Sequence, residues 1–290
     1  MHFVEAKAIL SAQNGMNVYR GCTHGCIYCD SRSRVYGMTH AFEDIEVKAN
    51  APELLERALR GKRKKCMIGT GSMCDPYMPC ERELNITRQC LEIISRYGFG
   101  AAVQTKSDLV LRDLSLLEQI NRQAKAVVQI TLTTADDKLC RIVEPNVCPT
   151  SHRAEVLRIL RDSGIPTVVW LSPFLPFIND TEENLRALLD ICMEAGVRGI
   201  VCFGIGLTLR EGNREYYYQA LDRHFPGLKQ KYCQVYGNAY ELPSPDHGRL
   251  MGILRDTCKQ HGILYEPDQV FAYLHDFPEK KAFEQLSMFD

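Results

Sequence analysis

The sequence predicts an α/β fold: a partial (β/α)6 barrel of the TIM type, followed by a C-terminal extension. Three observations carry that prediction. Short apolar runs rich in β-branched residues alternate with longer helical patterns up to about residue 225. The runs are continuous rather than alternating, as expected of parallel strands buried on both faces. The chain has 290 residues, 45% apolar and 24% charged. That is enough for one large core, and it excludes a coiled coil, a fibrous repeat or a disordered tail.

In chain order, the predicted strands span residues 16–21, 66–71, 101–106, 126–133, 167–171 and 199–203. After the second, Ile86, Cys90, Ile93, Ile94 and Tyr97 recur on one helical face, and Gly98 closes that helix. Asp162-Ser163-Gly164-Ile165-Pro166 stops a later helix and leads into the fifth strand. Leu185, Leu188, Leu189, Cys192 and Met193 mark the next helix, with Asp180 expected as its N-cap, Glu183 completing a capping box and Gly196 past its end. Six β-then-α units fit in residues 1–225, which puts the site at the C-terminal ends of the strands. From Phe225-Pro226-Gly227 the rhythm changes, prolines punctuate the chain, and residues 246–260 read as one more helix. Residues 226–290 are therefore expected to be an extension packed on the barrel.

Lys plus Arg is 35 and Asp plus Glu is 36, a formal charge of −1, so any nucleic-acid contact must use a local basic patch. The thirteen cysteines are an odd number, in a chain too long for a small disulfide scaffold. Met1 to Lys7 lacks a secretory leader pattern, and no apolar stretch reaches membrane length. The expectation is a cytoplasmic protein with reduced thiols and no membrane partner, some of the thiolates holding a metal centre.

The decisive segment is Tyr19-Arg20-Gly21-Cys22-Thr23-His24-Gly25-Cys26-Ile27-Tyr28-Cys29. Three thiolates on a tight loop can hold three irons of a [4Fe–4S] cluster and leave the fourth open to a small molecule, whereas four-cysteine ferredoxin spacings close every iron. A structural zinc wants four ligands, and this loop offers three with His24 as a possible fourth. With Tyr28 just before the third cysteine, the segment resembles the defining motif of the radical S-adenosylmethionine (SAM) superfamily. The resemblance implies a cluster on Cys22, Cys26 and Cys29 whose open iron chelates the amino and carboxylate groups of SAM. Reduction, by a donor such as flavodoxin or ferredoxin, then cleaves SAM to methionine and a 5′-deoxyadenosyl radical that takes a hydrogen from substrate.

Three further segments resemble the spore photoproduct lyase-like branch. They are Gly69-Thr70-Gly71-Ser72-Met73-Cys74-Asp75-Pro76-Tyr77 with Glu81 and Thr87-Arg88; Gln104-Thr105-Lys106-Ser107; and Glu144-Pro145 with Arg153, then Gly164-Ile165-Pro166 leading to Ser172-Pro173-Phe174. On this resemblance Ser72 binds the SAM amino group and Lys106 pairs with its carboxylate as a point charge. Thr131 or Thr133 hydrogen-bonds the ribose, and the Tyr28 ring lies near adenine. For each, the plainer alternative is a satisfied barrel-mouth residue. Glu144 and Arg153 are expected to form an ion pair bracing the fourth and fifth units. One departure matters. True spore photoproduct lyases carry a hydrogen-donating cysteine three residues before the aspartate matched by Asp75, where this chain has Ser72. Cys74 is the candidate replacement donor, and repair of the spore thymine lesion is in doubt.

Arg57, Arg60, Lys62, Arg63, Lys64 and Lys65 form a basic run before the second strand, which reads as a solvated helix end at the barrel bottom. Gln285-Leu286-Ser287-Met288-Phe289 resembles the pentapeptide that docks replication and repair proteins on the bacterial sliding clamp. The resemblance and this tail favour DNA or another nucleic acid as substrate. A radical enzyme acting on a peptide or small molecule and, in another class, a non-catalytic iron–sulfur or zinc-binding regulator are the alternatives.

Overall fold

A computed structural model describes residues 1–278, so the clamp-like pentapeptide lies outside the described residues. In chain order the elements are β1 His2–Val4, β2 Gly15–Met16, β3 Tyr19–Arg20, β4 Glu46–Lys48, α1 Ala51–Gly61, β5 Met67–Thr70, α2 Glu81–Leu84, α3 Ile86–Arg96, β6 Gly100–Thr105, α4 Leu114–Gln123 and β7 Ala126–Thr131. Then come α5 Asp137–Val143, α6 Thr150–Asp162, β8 Thr167–Trp170, α7 Glu182–Glu194, β9 Gly199–Val201, β10 Gly206–Thr208, α8 Asn213–His224, α9 Leu228–Tyr236, β11 Glu241–Pro243, α10 His247–His261 and α11 Pro267–His275.

Six strands form one parallel sheet in the order β2-β5-β6-β7-β8-β9, the partial barrel that the alternating pattern predicts. Successive side chains on a strand point to opposite faces. Ile68, Val103, Val128, Val169 and Ile200 accordingly join the core under the outer helices. Met67, Ala102, Val127, Val168 and Val201 line the inner face, where Val270 and Leu274 of α11 pack against them. That helix fills the lower part of the lumen. Lys125 fastens it by donating from Nζ to the carbonyls of Tyr273 at 2.5 Å and Asp276 at 3.0 Å. Cys90 and Cys192 are fully buried core residues, as their helical positions predict.

Two expectations change. The predicted first strand splits: β2 pairs with β5 in the barrel, while β3 turns away to pair antiparallel with β4 in a small sheet ordered β1-β4-β3. Asn17 sits at the break, and its carbonyl accepts from Lys48 Nζ at 2.8 Å. The cap of α7 is Thr181, whose side chain accepts from the Asn184 amide. Asp180 instead accepts from the Ser244 hydroxyl at 2.6 Å, tying the segment before α10 to the barrel mouth. The basic run starts on the last turns of α1 and leads into the N-terminal end of β5, opposite the mouth; Arg60 faces Glu56 and Lys65 donates to the Tyr97 carbonyl. No helix among the described residues is long and apolar enough to cross a membrane.

Candidate active site

The cysteine loop leaves β3 through Gly21, which has φ +87° and whose Cβ would stand 2.5 Å from the Phe42 carbonyl oxygen. Only glycine allows that approach, and it lets the Cys22 amide donate to the same carbonyl at 3.0 Å. The far side of the loop is held by the last residue of α5 and the segment after it. Ile27 donates to Val143 O at 3.0 Å, while Asn146 donates from its amide to His24 O at 3.1 Å and from Nδ2 to Thr23 O at 2.8 Å. Cys22, Cys26 and Cys29 thus open onto one cavity of about 140 Å3, shared with Ser72, Cys74, Lys106 and Thr131. Burial pushes the Cys22 thiol up to about 12 and the Cys26 thiol well above its ordinary value. Both hold their protons until a metal displaces them.

The loop brings three thiols to this cavity, one short of the four ligands a structural zinc wants, whereas a [4Fe–4S] cluster can take three and leave one iron open. His24 also lines this cavity; it is buried, its Nδ1 stands 3.5 Å from Asp75, and burial lowers its pKa.

Asp75 organises the opposite wall. It accepts from the Tyr77 amide at 2.8 Å, the Thr105 hydroxyl at 2.7 Å and the Lys106 amide at 2.7 Å. This fixes Lys106 at the end of β6, where its ammonium reaches the cavity without a hydrogen bond or ion pair among the described residues. Burial opposes its charge, but Cys26 and Glu144 nearby keep its pKa above the ordinary value. Gly71 has φ +98°, and a Cβ there would stand 2.2 Å from the Gln104 carbonyl oxygen. The loop carrying Ser72 and Cys74 can therefore lie directly on the end of β6. Ser72 is exposed, and its hydroxyl accepts from Asn17 Nδ2 at 3.5 Å. Cys74 is buried and donates from Sγ to the Tyr19 carbonyl at 2.9 Å.

Glu144 and Arg153 pair as expected, at 2.5 Å with both side chains fully buried. The pair does more than brace two units. The Tyr28 hydroxyl donates to Glu144, as does the Thr133 hydroxyl at 3.0 Å, while Arg153 Nη1 donates to the Thr131 carbonyl at 2.7 Å. Burial works against the Glu144 charge, but Arg153, Lys106 and Tyr28 outweigh it and hold the carboxyl down to about 2. Of the two threonines proposed for the ribose, Thr131 lines the cavity, whereas the Thr133 hydroxyl is engaged behind it with Tyr28 and Glu144.

Reasoning from the sequence missed a second, larger cavity of about 420 Å3. It shares Cys29 with the first and is walled by Tyr28, Asp30, Phe203, Glu241 and His247. Phe203 is 63% exposed, an unusual setting for a phenylalanine beside the mouth of an α/β barrel, and its ring stacks on Phe271 of α11. The signal was present in the glycines around Phe203, whose open backbone lets β10 pair with β11 and shape this wall.

The radical SAM superfamily profile matches residues 16–189, more than half of the chain and inclusive of the whole cysteine loop. The chain belongs to the radical SAM superfamily. An uncharacterized protein of Mycobacterium tuberculosis is 29% identical over 249 residues, covering 81% of this chain and 71% of that one. Another from Methanocaldococcus jannaschii is 30% identical over 178 residues, covering 60% and 65%. Among solved structures, spore photoproduct lyase complexed with dinucleoside spore photoproduct superposes with a TM-score of 0.61 at 13% identity, over 86% of this chain and 74% of that chain. Streptococcus suis SuiB bound to S-adenosylmethionine gives 0.52 at 11%, over 87% and 49%. At such identities these likenesses bear on the fold. The radical SAM barrel, the [4Fe–4S] cluster and SAM come with the family, and the residues present fit both groups. Three thiols converge on one cavity, beside an ammonium that has no hydrogen bond or ion pair among the described residues.

Proposed function

We propose that this radical SAM enzyme acts on a nucleobase-bearing substrate, in a repair- or modification-like reaction, with the 420 Å3 cavity as its substrate chamber. The observation that carries the reading is the meeting of the two cavities at Cys29. A substrate in the larger one lies against the wall where the cofactors act. Cavities of this size suit a small organic group. Phe203 offers an apolar face for a base to stack on, and Asp30, Glu241 and His247 offer polar edges. The cations near the cysteine loop are already matched: Arg32 to Glu43, Arg34 to Glu211, Arg210 to Asp30. The reading therefore favours capture of a splayed base over tracking of a phosphate backbone.

In this reading Cys22, Cys26 and Cys29 ligate the cluster. Lys106 meets the SAM carboxylate, Ser72 its amino group and Thr131 the ribose, while the Tyr28 ring borders the adenine. Thr133, from behind Thr131, sets the Tyr28 hydroxyl and Glu144. When bound, the cluster and SAM supply a 5′-deoxyadenosyl radical for hydrogen abstraction. Cys74, with a protonated thiol on the cavity wall, is the candidate to return a hydrogen atom to the product. A flavodoxin- or ferredoxin-type donor would reduce the cluster. The pentapeptide Gln285, Leu286, Ser287, Met288 and Phe289 would bring the enzyme to a sliding clamp, with Leu286 and Phe289 as apolar anchors.

The test is anaerobic reconstitution with SAM and dithionite, following 5′-deoxyadenosine with single-stranded DNA, duplex DNA, RNA or peptide present. Stimulation by a nucleic acid, lost in Phe203→Ala, supports the reading. Stimulation by peptides or free metabolites alone overturns the substrate class. A fully loaded, reduced protein that makes no 5′-deoxyadenosine under any condition points to the non-catalytic alternative. A clamp pull-down with and without residues 285–290 tests the tail.

A further inference from the structure

The small sheet gathers a second set of ligating side chains, away from the cysteine cavity. β1 and β4 run parallel with His2 opposite Glu46, and the connection from β3 to β4 brings His40 and Asp44 beside them. One ligand atom from each of His2, His40 and Asp44 lies within 4.8 Å of the others, the one such group of His, Cys, Asp or Glu among the described residues. The two imidazole rings meet edge to face with centroids 4.8 Å apart.

The hydrogen bonds around His40 determine which of its atoms is free. Its Nδ1 lies 3.1 Å from the Ala41 carbonyl oxygen. A carbonyl only accepts, so Nδ1 carries the proton and Nε2 of the neutral ring is a bare lone pair. Among the described residues that Nε2 is buried without a hydrogen-bond partner, and it faces Glu46 Oε2 at 3.7 Å. Two acceptors facing each other across such a gap leave room for a cation between them. His2 Nδ1 stands 3.0 Å from Asp44 Oδ2, while Asp44 Oδ1 accepts from the Met1 amino group at 2.7 Å. The nearby guanidinium of Arg20 is engaged by the carbonyls of Tyr36 and Gly37.

We propose that His2, His40 and Asp44 form a binding site for a divalent borderline metal ion of the zinc type, with Glu46 at its edge and the fourth position left to water. Two imidazole nitrogens and a carboxylate oxygen suit zinc. A backbone carbonyl on the non-ligating nitrogen is the usual device for orienting a metal-binding histidine. Side-chain exposures of 18% to 40% leave a path for the ion to enter. Its place in the fold gives it a purpose. It ties β1 to the connection whose Phe42 carbonyl receives the Cys22 amide, and so clips the segment that backs the cysteine loop.

The experiment uses the full chain with its iron–sulfur cluster reconstituted anaerobically. The protein is dialysed against zinc, freed of excess, and assayed for zinc and iron, with zinc-edge X-ray absorption to identify the ligands. We expect about one zinc per chain beyond the cluster iron, in a shell of nitrogen and oxygen only. His40→Ala, His2→Ala and the nearly isosteric Asp44→Asn each weaken retention about tenfold or more. Iron content stays at the wild-type level in each variant, which shows that the fold and the cysteine loop survive. Zinc raises the melting temperature of the wild type and not that of the variants. Three results overturn the proposal: no zinc retained by the wild type, equal retention by His40→Ala, or sulfur in the zinc shell. The first is what a protonated His40 simply paired with Glu46 would give.

Discussion

Asp75 and Glu81 stand on one connection between β5 and α3, both are buried carboxylates, and they serve opposite ends. Asp75 faces the mouth, where it spends its oxygens on Tyr77, Thr105 and Lys106. Glu81 faces the barrel wall. It accepts from the Tyr19 hydroxyl, the Thr87 and Arg88 amides and Arg112, while Arg88 and Arg112 both also reach Asp113. In the wall every cation is matched: Arg112 alone donates to Asp113, Glu81 and Asn85. At the mouth Lys106 has no such partner among the described residues. A single sequence signature thus contains two kinds of residue, and the difference teaches how to sort them. Saturated charges hold the protein together, and an unsaturated one beside a cavity awaits a ligand.

That contrast can be broken by mutation, and the largest effect belongs to the cysteine loop. Replacing Cys22, Cys26 or Cys29 by Ala should remove the cluster and all SAM cleavage, because a second iron then lacks a protein ligand. Replacing core Cys90 or Cys192 by Ala should leave the iron content unchanged. Iron analysis and the visible spectrum after anaerobic reconstitution decide it. A Cys90 variant without iron would show that the wall is not independent of the mouth.

Next comes Glu144→Ala, which strands the buried Arg153 guanidinium and should cost about 3–5 kcal/mol in urea unfolding. It should also loosen Tyr28 beside the cluster. Since the Glu144 carboxyl titrates at about 2, below the ordinary carboxylate range, its contribution is complete above the unfolded-state value and is lost as pH falls toward about 2. Wild type should therefore destabilise over that acid window more steeply than Glu144→Gln, measured as unfolding midpoint against pH.

Lys106→Ala should weaken SAM binding by about 1.5–3 kcal/mol, roughly ten- to a hundredfold, through loss of a charge-assisted contact. Iron content should not change. Unchanged SAM affinity in calorimetry would return Lys106 to the class of mouth residues without a ligand. The smallest effect is expected at Arg88, whose side chain is part-exposed and whose partner Asp113 keeps Arg112. Arg88→Ala should cost about 1 kcal/mol or less and leave iron and SAM affinity as they were.

The residues that were legible in the sequence share a reason. The central strands form long continuous apolar runs because both faces are buried, so residues 101–106 and 126–133 point directly to β6 and β7. The cysteine spacing is local, and so is the loop it makes. What escaped was set by partners distant in sequence. β1 and β4 have three residues each with half-buried faces, too short for a periodic signal. Asp180 carries an ordinary capping pattern, yet Ser244 takes its carboxylate and Thr181 caps instead. The role of Asp75 as the organiser of Lys106, and that of Phe203 as a cavity wall, depend on chain segments that meet only in the folded barrel.

The helix in the lumen has a bearing on how the protein is made. Ribosomes release a chain from its N-terminal side, so β5 to β9 emerge with Met67, Ala102, Val127, Val168 and Val201 still uncovered on their inner faces. Val270 and Leu274, which cover them, come last among these elements. Until then the nascent barrel carries an apolar trough along parallel strands, the kind of surface that chaperones bind and that aggregates in their absence. A premature stop just before α11 would spare every cysteine of the loop and still yield a chain prone to aggregation. A cut after Asp276 keeps both Lys125 fastenings of α11 and spares the trough.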